Sequence, residues 1–205
     1  MVNKQMSSKY LSVNAIILSC ILMIILSSCN LITTYRDRFY VDKDNCLTMI
    51  DIEKNGPDIV VPEKVGNTVI HDIYLESSHF SKIDSIDVSN VSELETFTLR
   101  LYGAGSHSKL KRIDFSRNEK LKDIFIDNAT ALEKIVFNKN CEIITLRDTS
   151  LENVNLKPLK NLSLFSYFNG PLHSIEFSSN KKLDYLSFYY SKVKKLDLSK
   201  LKKLR

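Results

Sequence analysis

Apolar residues recur along this chain in a six-position unit, L-x-x-L-x-L, at nearly fixed spacing. In "LKRIDFSRNEKLKDIFIDNATALEKIVFNKN" (residues 110–140), Leu110, Ile113 and Phe115 are answered by Leu121, Ile124 and Ile126, then by Leu132, Ile135 and Phe137. Unit starts fall at Ile70, Ile83, Leu94, Leu110, Leu121, Leu132, Cys141, Leu151, Leu162, Leu172, Leu183, Val193 and Leu204. From Leu110 the steps are 11, 11, 9, 10, 11, 10, 11, 10 and 11, so two steps sum to about 21 residues with less scatter than either alone. Polar residues alternate with the apolar fourth and sixth positions, the pattern of a half-buried strand. So short a strand cannot bury a face alone and must stack on its neighbours. The pattern therefore predicts a mainly β solenoid of about 21 residues per coil, with short parallel strands on two faces. No helix-length periodic segment fits between units, which disfavours alternating strands and helices. Inward positions include Ile135 and Ile175.

The two strand sets differ on their outward positions. Units at 110, 132, 151, 172 and 193 present Arg112, Asp114, Ser116, Lys134, Val136, Asn138, Asn153, Asn155, Lys157, Ser174, Glu176, Ser178, Lys195, Asp197 and Ser199. That is a solvated face. Units at 121, 141, 162 and 183 present Asp123, Phe125, Asp127, Ile143, Thr145, Arg147, Leu164, Ser166, Phe168, Tyr185, Ser187 and Tyr189. An exposed apolar and aromatic surface marks an interaction site, so Phe125, Leu164, Phe168, Tyr185 and Tyr189 are the candidate ligand-binding residues. Asn118, Asn128, Asn140, Asn169 and Asn180 follow the strands, where their side chains can bond free backbone groups at a bend.

The repeat "LKKLDLSKLKKL" and the Asn-bearing corners resemble bacterial leucine-rich repeats, and the 21-residue double step is similar to that of BspA-type surface proteins of Bacteroidetes. The segment "MIDIEKNGPDIVVPEKVGNTVIHDIYL", with its "VVIP"-like stretch and Gly-Asn turn, looks like the opener of that family. The resemblance spans residues 46–205. It implies a leucine-rich-repeat surface lipoprotein that recognises a protein or glycan. The chain departs from the family in the excess between Leu94 and Leu110 and in frequent Ile, Phe or Tyr in place of Leu.

The first 28 residues are separate in character. Lys4 and Lys9 precede an apolar run from Leu11 to Leu26, followed by Ser27, Ser28 and Cys29. This is an export-signal pattern, and the run is shorter than the roughly 20 residues of a spanning helix. "LSSC" resembles the bacterial lipobox, which makes Cys29 the expected lipidation site; "ILSC" at Cys20 is a weaker competitor. The expected organisation is a lipoprotein signal peptide at 1–28, a tether at 29–45, an N-terminal β cap at 46–69 and the solenoid at 70–205. "YGAGSHSK" (102–109) is a bulging loop. No polar capping unit is visible at the C-terminal end. The protein is expected to be exported and lipid-anchored to the cell envelope, at the outer membrane or cell surface, with the membrane as one partner.

Charge and chemistry narrow the function. The formal net charge is +5, but residues 29–191 carry 20 basic against 23 acidic side chains. A nucleic-acid-binding body needs a basic face, so that class is disfavoured. Cys46 and Cys141 stand far apart with no C-x-x-C pairing. His71, His79, His107 and His173 lack metal-ligand spacing. No nucleophile elbow, paired-carboxylate motif or phosphate loop is present. No cofactor, metal or catalytic residue is expected. Two function classes remain: a surface-anchored recognition or adhesion module for a protein or glycan, or a non-catalytic spacer or self-associating envelope protein. In the native host, Cys29→Ala is expected to leave an unprocessed precursor and abolish fatty-acid labelling; labelling lost only when Cys20 is also replaced would move the anchor.

Overall fold

Each repeat unit places its strand at the same offset. In the computed structural model, residues 38–76, 82–102 and 109–204 are described; the signal peptide, Cys29, most of the tether, most of the 102–109 loop, His79 and His107 lie outside them. Six strands begin two residues after a unit start and run for five residues: β6 (Asp72–Glu76), β8 (Thr96–Arg100), β10 (Asp123–Asp127), β12 (Ile143–Arg147), β13 (Leu164–Phe168) and β14 (Tyr185–Tyr189). They pair in parallel, in that order, as one sheet. At its N-terminal side the sheet gains β2 (Cys46–Ile50), parallel to β6, and β1 (Phe39–Val41), antiparallel to β2. The result is a mainly β solenoid of about six turns and about 22 residues per turn.

The opposite side is built from the alternate units at the same offset but is shorter and interrupted. Strands β7 (Ser85–Asp87), β9 (Arg112–Asp114) and β11 (Lys134–Val136) have three residues each. β7 pairs with β3 (Asp58–Val60), β9 with β11, and farther on only an isolated bridge joins Asn153 to Ser174. The cause lies in the outward residues. The continuous sheet carries aromatic and β-branched side chains on both faces, whereas "ENVNLKP" offers Asn153, Asn155 and Pro158, all poor strand formers. Before β6, a two-residue turn of Gly66 (φ 63°) and Asn67 joins β4 (Lys64–Val65) to β5 (Thr68–Val69), the position where a left-handed φ favours glycine. Asp51 caps the short helix α1 (Ile52–Asn55), accepting from Lys54 N.

Fourth and sixth positions fill the interior. Ile124, Ile126, Ile144, Leu146, Phe165 and Tyr167 are fully buried. Rings from opposite sides meet across it, Phe97 with Phe115 at 4.9 Å and Phe165 with Phe177 at 5.9 Å, both edge-on, the geometry their quadrupoles favour. Tyr167 is accommodated because its hydroxyl donates to Leu151 O (3.1 Å) and because Gly170 leaves room for it; a Cβ at Gly170 would stand 2.2 Å from that hydroxyl and 2.5 Å from Thr149 O. Ile135 and Ile175 face inward yet are only half-buried, since no strand bridges β11 to residues 153–155 and a groove opens between them.

Asparagines satisfy the corners in two ways. Asn118 is fully buried and donates to Val88 O (2.8 Å) and Val91 O (2.9 Å); Asn180 does the same with Leu156 O (2.9 Å) and Leu159 O (2.7 Å). Asn140 donates to Glu119 O at 2.8 Å and Asn128 to Leu101 O, each reaching back to the preceding turn. Asn169 instead donates to the Asp148 carboxylate. Asn138, expected on the solvated face, is buried and donates to Leu121 O at 2.8 Å. The nine-residue step from Leu132 to Cys141 draws it into the corner that Asn118 and Asn180 occupy elsewhere. All three stand three residues before the next unit start.

Truncation of a fully buried position tests this register. Ile124→Ala is expected to cost about 2–5 kcal/mol, half-buried Ile175→Ala less, and exposed Glu176→Ala about 0.5 kcal/mol or less, read by denaturant unfolding. Equal costs at Ile175 and Glu176 would contradict the observed register.

Candidate functional site

Parallel pairing without slippage stacks the outward residues of the long sheet in three columns. The first runs Asp72, Thr96, Asp123, Ile143, Leu164, Tyr185; the second Tyr74, Thr98, Phe125, Thr145, Ser166, Ser187; the third Glu76, Arg100, Asp127, Arg147, Phe168, Tyr189. Neighbours within a column are about 5 Å apart, and the outer columns are separated by about 13 Å along the strand. The five sequence-predicted residues therefore fall into separate groups. Leu164 and Tyr185 adjoin in the first column, Phe168 and Tyr189 in the third, and Phe125 lies in the second. The small pair Ser166 and Ser187 separates the first two groups.

Arginines that sequence reasoning did not single out connect the aromatic residues. The Arg100 guanidinium lies 5.8 Å from the Tyr74 ring centre and 4.7 Å from that of Phe125; Arg147 lies 5.6 Å from Phe125 and 4.6 Å from Phe168. All are within cation–π reach. A strip of alternating rings and guanidinium groups thus crosses five successive strands, Tyr74, Arg100, Phe125, Arg147, Phe168. Glu76 pairs with Arg100 at 3.3 Å. The lead to this strip was in the repeat itself, because Tyr74 and Arg100 occupy outward positions five and seven of the units at Ile70 and Leu94.

The residue just past each later strand adopts a left-handed backbone: Asn128 (φ 61°), Asp148 (φ 48°), Asn169 (φ 54°) and Tyr190 (φ 50°). Asn and Asp tolerate that conformation, but a bulky ring does so rarely. The Tyr190 ring is 72% exposed and packs edge-on against Tyr189, centres 4.3 Å apart. Arg147, Asp148, Phe168, Asn169, Tyr189 and Tyr190 together border a shallow, widely open depression at the end of the strip. Tyr190 falls outside the unit's three outward positions, so the strand pattern alone did not mark it.

The described tail does not cross this face. Val193, Leu196, Leu201 and Leu204 pack against the core, and Lys192 N donates to Leu172 O, which places residues 192–204 on the opposite side.

Nucleophilic chemistry finds little support. Burial, with the carboxylates of Asp42 and Asp72 adding to it, pushes the Cys46 thiol up to about 11, and burial pushes Cys141 up to about 12. Both therefore stay protonated near neutral pH, and a thiol needs its thiolate form to attack. Cys46 is half-buried and Cys141 buried. His71 approaches Glu95 at 4.0 Å, and His173 is exposed. Among the described residues no group of three or more His, Cys, Asp or Glu side chains could hold a metal ion, and no helix is long and apolar enough to cross a membrane.

No protein-family description and no curated protein matches the sequence. Among solved structures, the chain is similar to the functional domain of InlJ from Listeria monocytogenes, at 16% identity and TM-score 0.49 over 77% of this chain. It spans 40% of the length of that domain. It is also similar to internalin C2 from the same organism, at 14% identity and TM-score 0.37 over 78% of each chain.

Burial raises the Asp123 carboxyl above its ordinary value. A carboxyl whose pKa is higher folded than unfolded favours folding while protonated and opposes it once ionised. Below the ordinary carboxylate value, Asp123→Asn is expected to leave stability unchanged. As pH rises through the raised value the variant should become the more stable, with a higher Tm at pH 7. A lower Tm for the variant at neutral pH would show that the ionised carboxylate is favourably held instead.

Proposed function

We propose that this chain is a non-catalytic recognition module of the cell envelope, exported, anchored by a lipid on Cys29 and presenting the outer face of its long sheet to a protein or glycan ligand. The observation that carries the reading is the difference between the two outer faces. One presents Arg112, Lys134, Glu176 and Asp197 over broken strands, a surface that water solvates well. The other presents the strip from Tyr74 to Phe168 and the exposed rings of Tyr185 and Tyr189 over an unbroken parallel sheet. Tyr and Arg are favoured contact residues because they combine area with directional donors. Rings held between stacked guanidinium groups lose little further freedom on binding, which lowers the entropic cost of association.

The sheet also supports a second reading. Among the described residues no strand pairs with the far edge of β14, and Tyr185–Tyr189 carries no charge that would discourage pairing with another copy. Self-association through that edge would make the protein a structural element of the envelope.

The double change Phe168→Ser with Tyr189→Ser separates a binding face from ordinary core. A recognition surface should lose adhesion of the purified protein to host or bacterial cells with little change in Tm. A drop of several degrees with adhesion intact would show the rings to be structural. Light scattering on the parent protein tests the second reading, which expects oligomers that Ser187→Pro in the edge strand disperses.

A further inference from the structure

The depression at the C-terminal end of the strip has chemistry of its own. Five residues follow the last five strands of the parallel sheet, Leu101, Asn128, Asp148, Asn169 and Tyr190. Three of the four in left-handed conformation are Asn or Asp, which adopt it readily. Tyr190 breaks that chemistry without gaining burial, since its ring is 72% exposed. Strain of this kind in a bulky residue concentrates at functional sites.

Beside the ring, Asn169 donates one amide N–H to the Asp148 carboxylate, which fixes the two groups relative to each other and leaves each with further hydrogen-bonding capacity. Arg147, its guanidinium 4.6 Å from the Phe168 ring centre, lines the same space. One cationic and one anionic group line the depression, so it suits an uncharged ligand. The depression is shallow and widely open, so a ligand would lie against its exposed rings beside a few polar groups rather than be enclosed. A pyranose ring has the complementary form. Its C–H face lies against an aromatic ring, and its rim carries hydroxyls that both donate and accept. A carboxylate–amide pair in fixed orientation can take two neighbouring hydroxyls at once.

Resting on the recognition reading above, we infer that Tyr189, Tyr190 and Phe168, with Asp148, Asn169 and Arg147, form a subsite for a neutral sugar residue of a glycan. The full chain would be titrated with methyl glycosides and short oligomers of glucose, galactose, mannose and N-acetylglucosamine, with a sulfated heparin fragment for comparison. Saturation-transfer NMR detects contact. Tyrosine fluorescence follows affinity without interference, because the chain has no Trp. A neutral saccharide should bind, and Tyr190→Asn should weaken it about tenfold or more while leaving Tm unchanged or raised, since Asn suits the left-handed backbone. Tyr74→Ser, on the same face but remote, should leave affinity unchanged. The inference is overturned if no neutral saccharide binds, if heparin alone binds, or if Tyr190→Asn and Tyr74→Ser affect affinity equally. Should saccharides fail while adhesion still depends on Phe168 and Tyr189, the sugar assignment falls and the recognition role stands; should both fail, the face is not a binding surface.

Discussion

Parallel pairing between strands too short to stand alone is the interaction on which this molecule depends. A strand of five residues presents two or three inward side chains, far too little apolar area to fold by itself. Each turn therefore exists because the turns on either side cover its backbone and its core. The same pairing prevents slippage, since a one-residue shift would send Ile124 and Ile126 outward and Phe125 inward. Register, interior and outer columns are one consequence of a single constraint.

That constraint explains how much was legible from the amino acids. Apolar fourth and sixth positions located the six long strands because burial enforces them in every turn. The outward residues decide whether neighbouring strands pair continuously, and that is a matter of strand-forming tendency rather than of burial. Hence the interruption around Asn153 and Asn155 could not be read from the apolar pattern. Asn138 was misplaced because positions were counted forward from Leu132. Counted backward from Cys141 it belongs with Asn118 and Asn180, whose amides are called inward to satisfy carbonyls that no strand reaches.

The candidate surface was legible in outline. Alternation separated a charged face from an aromatic one, and it placed Phe125, Phe168 and Tyr189 outward. It could not show that Leu164 and Tyr185 stand apart from the others behind a pair of serines. Nor could it show that Arg100 and Arg147 lie between the rings, because lateral contacts depend on which side chains neighbour one another across turns. Tyr190 was hidden for a different reason: its significance lies in its backbone angle, visible only against the Asn and Asp that hold the equivalent place in earlier turns.

The unequal continuity of the two sides has a mechanical consequence. Along the long sheet every turn is tied to the next by a ladder of hydrogen bonds, so that side resists stretching. On the other side the ladders stop between β7 and β9 and again between β11 and residues 153–155, where the groove over Ile135 and Ile175 opens. A bending load therefore meets a stiff sheet on one side and compliant gaps on the other, and the coil flexes by widening or narrowing those gaps. The aromatic face keeps its spacing as it does so, because the strands that carry it stay hydrogen-bonded to one another throughout.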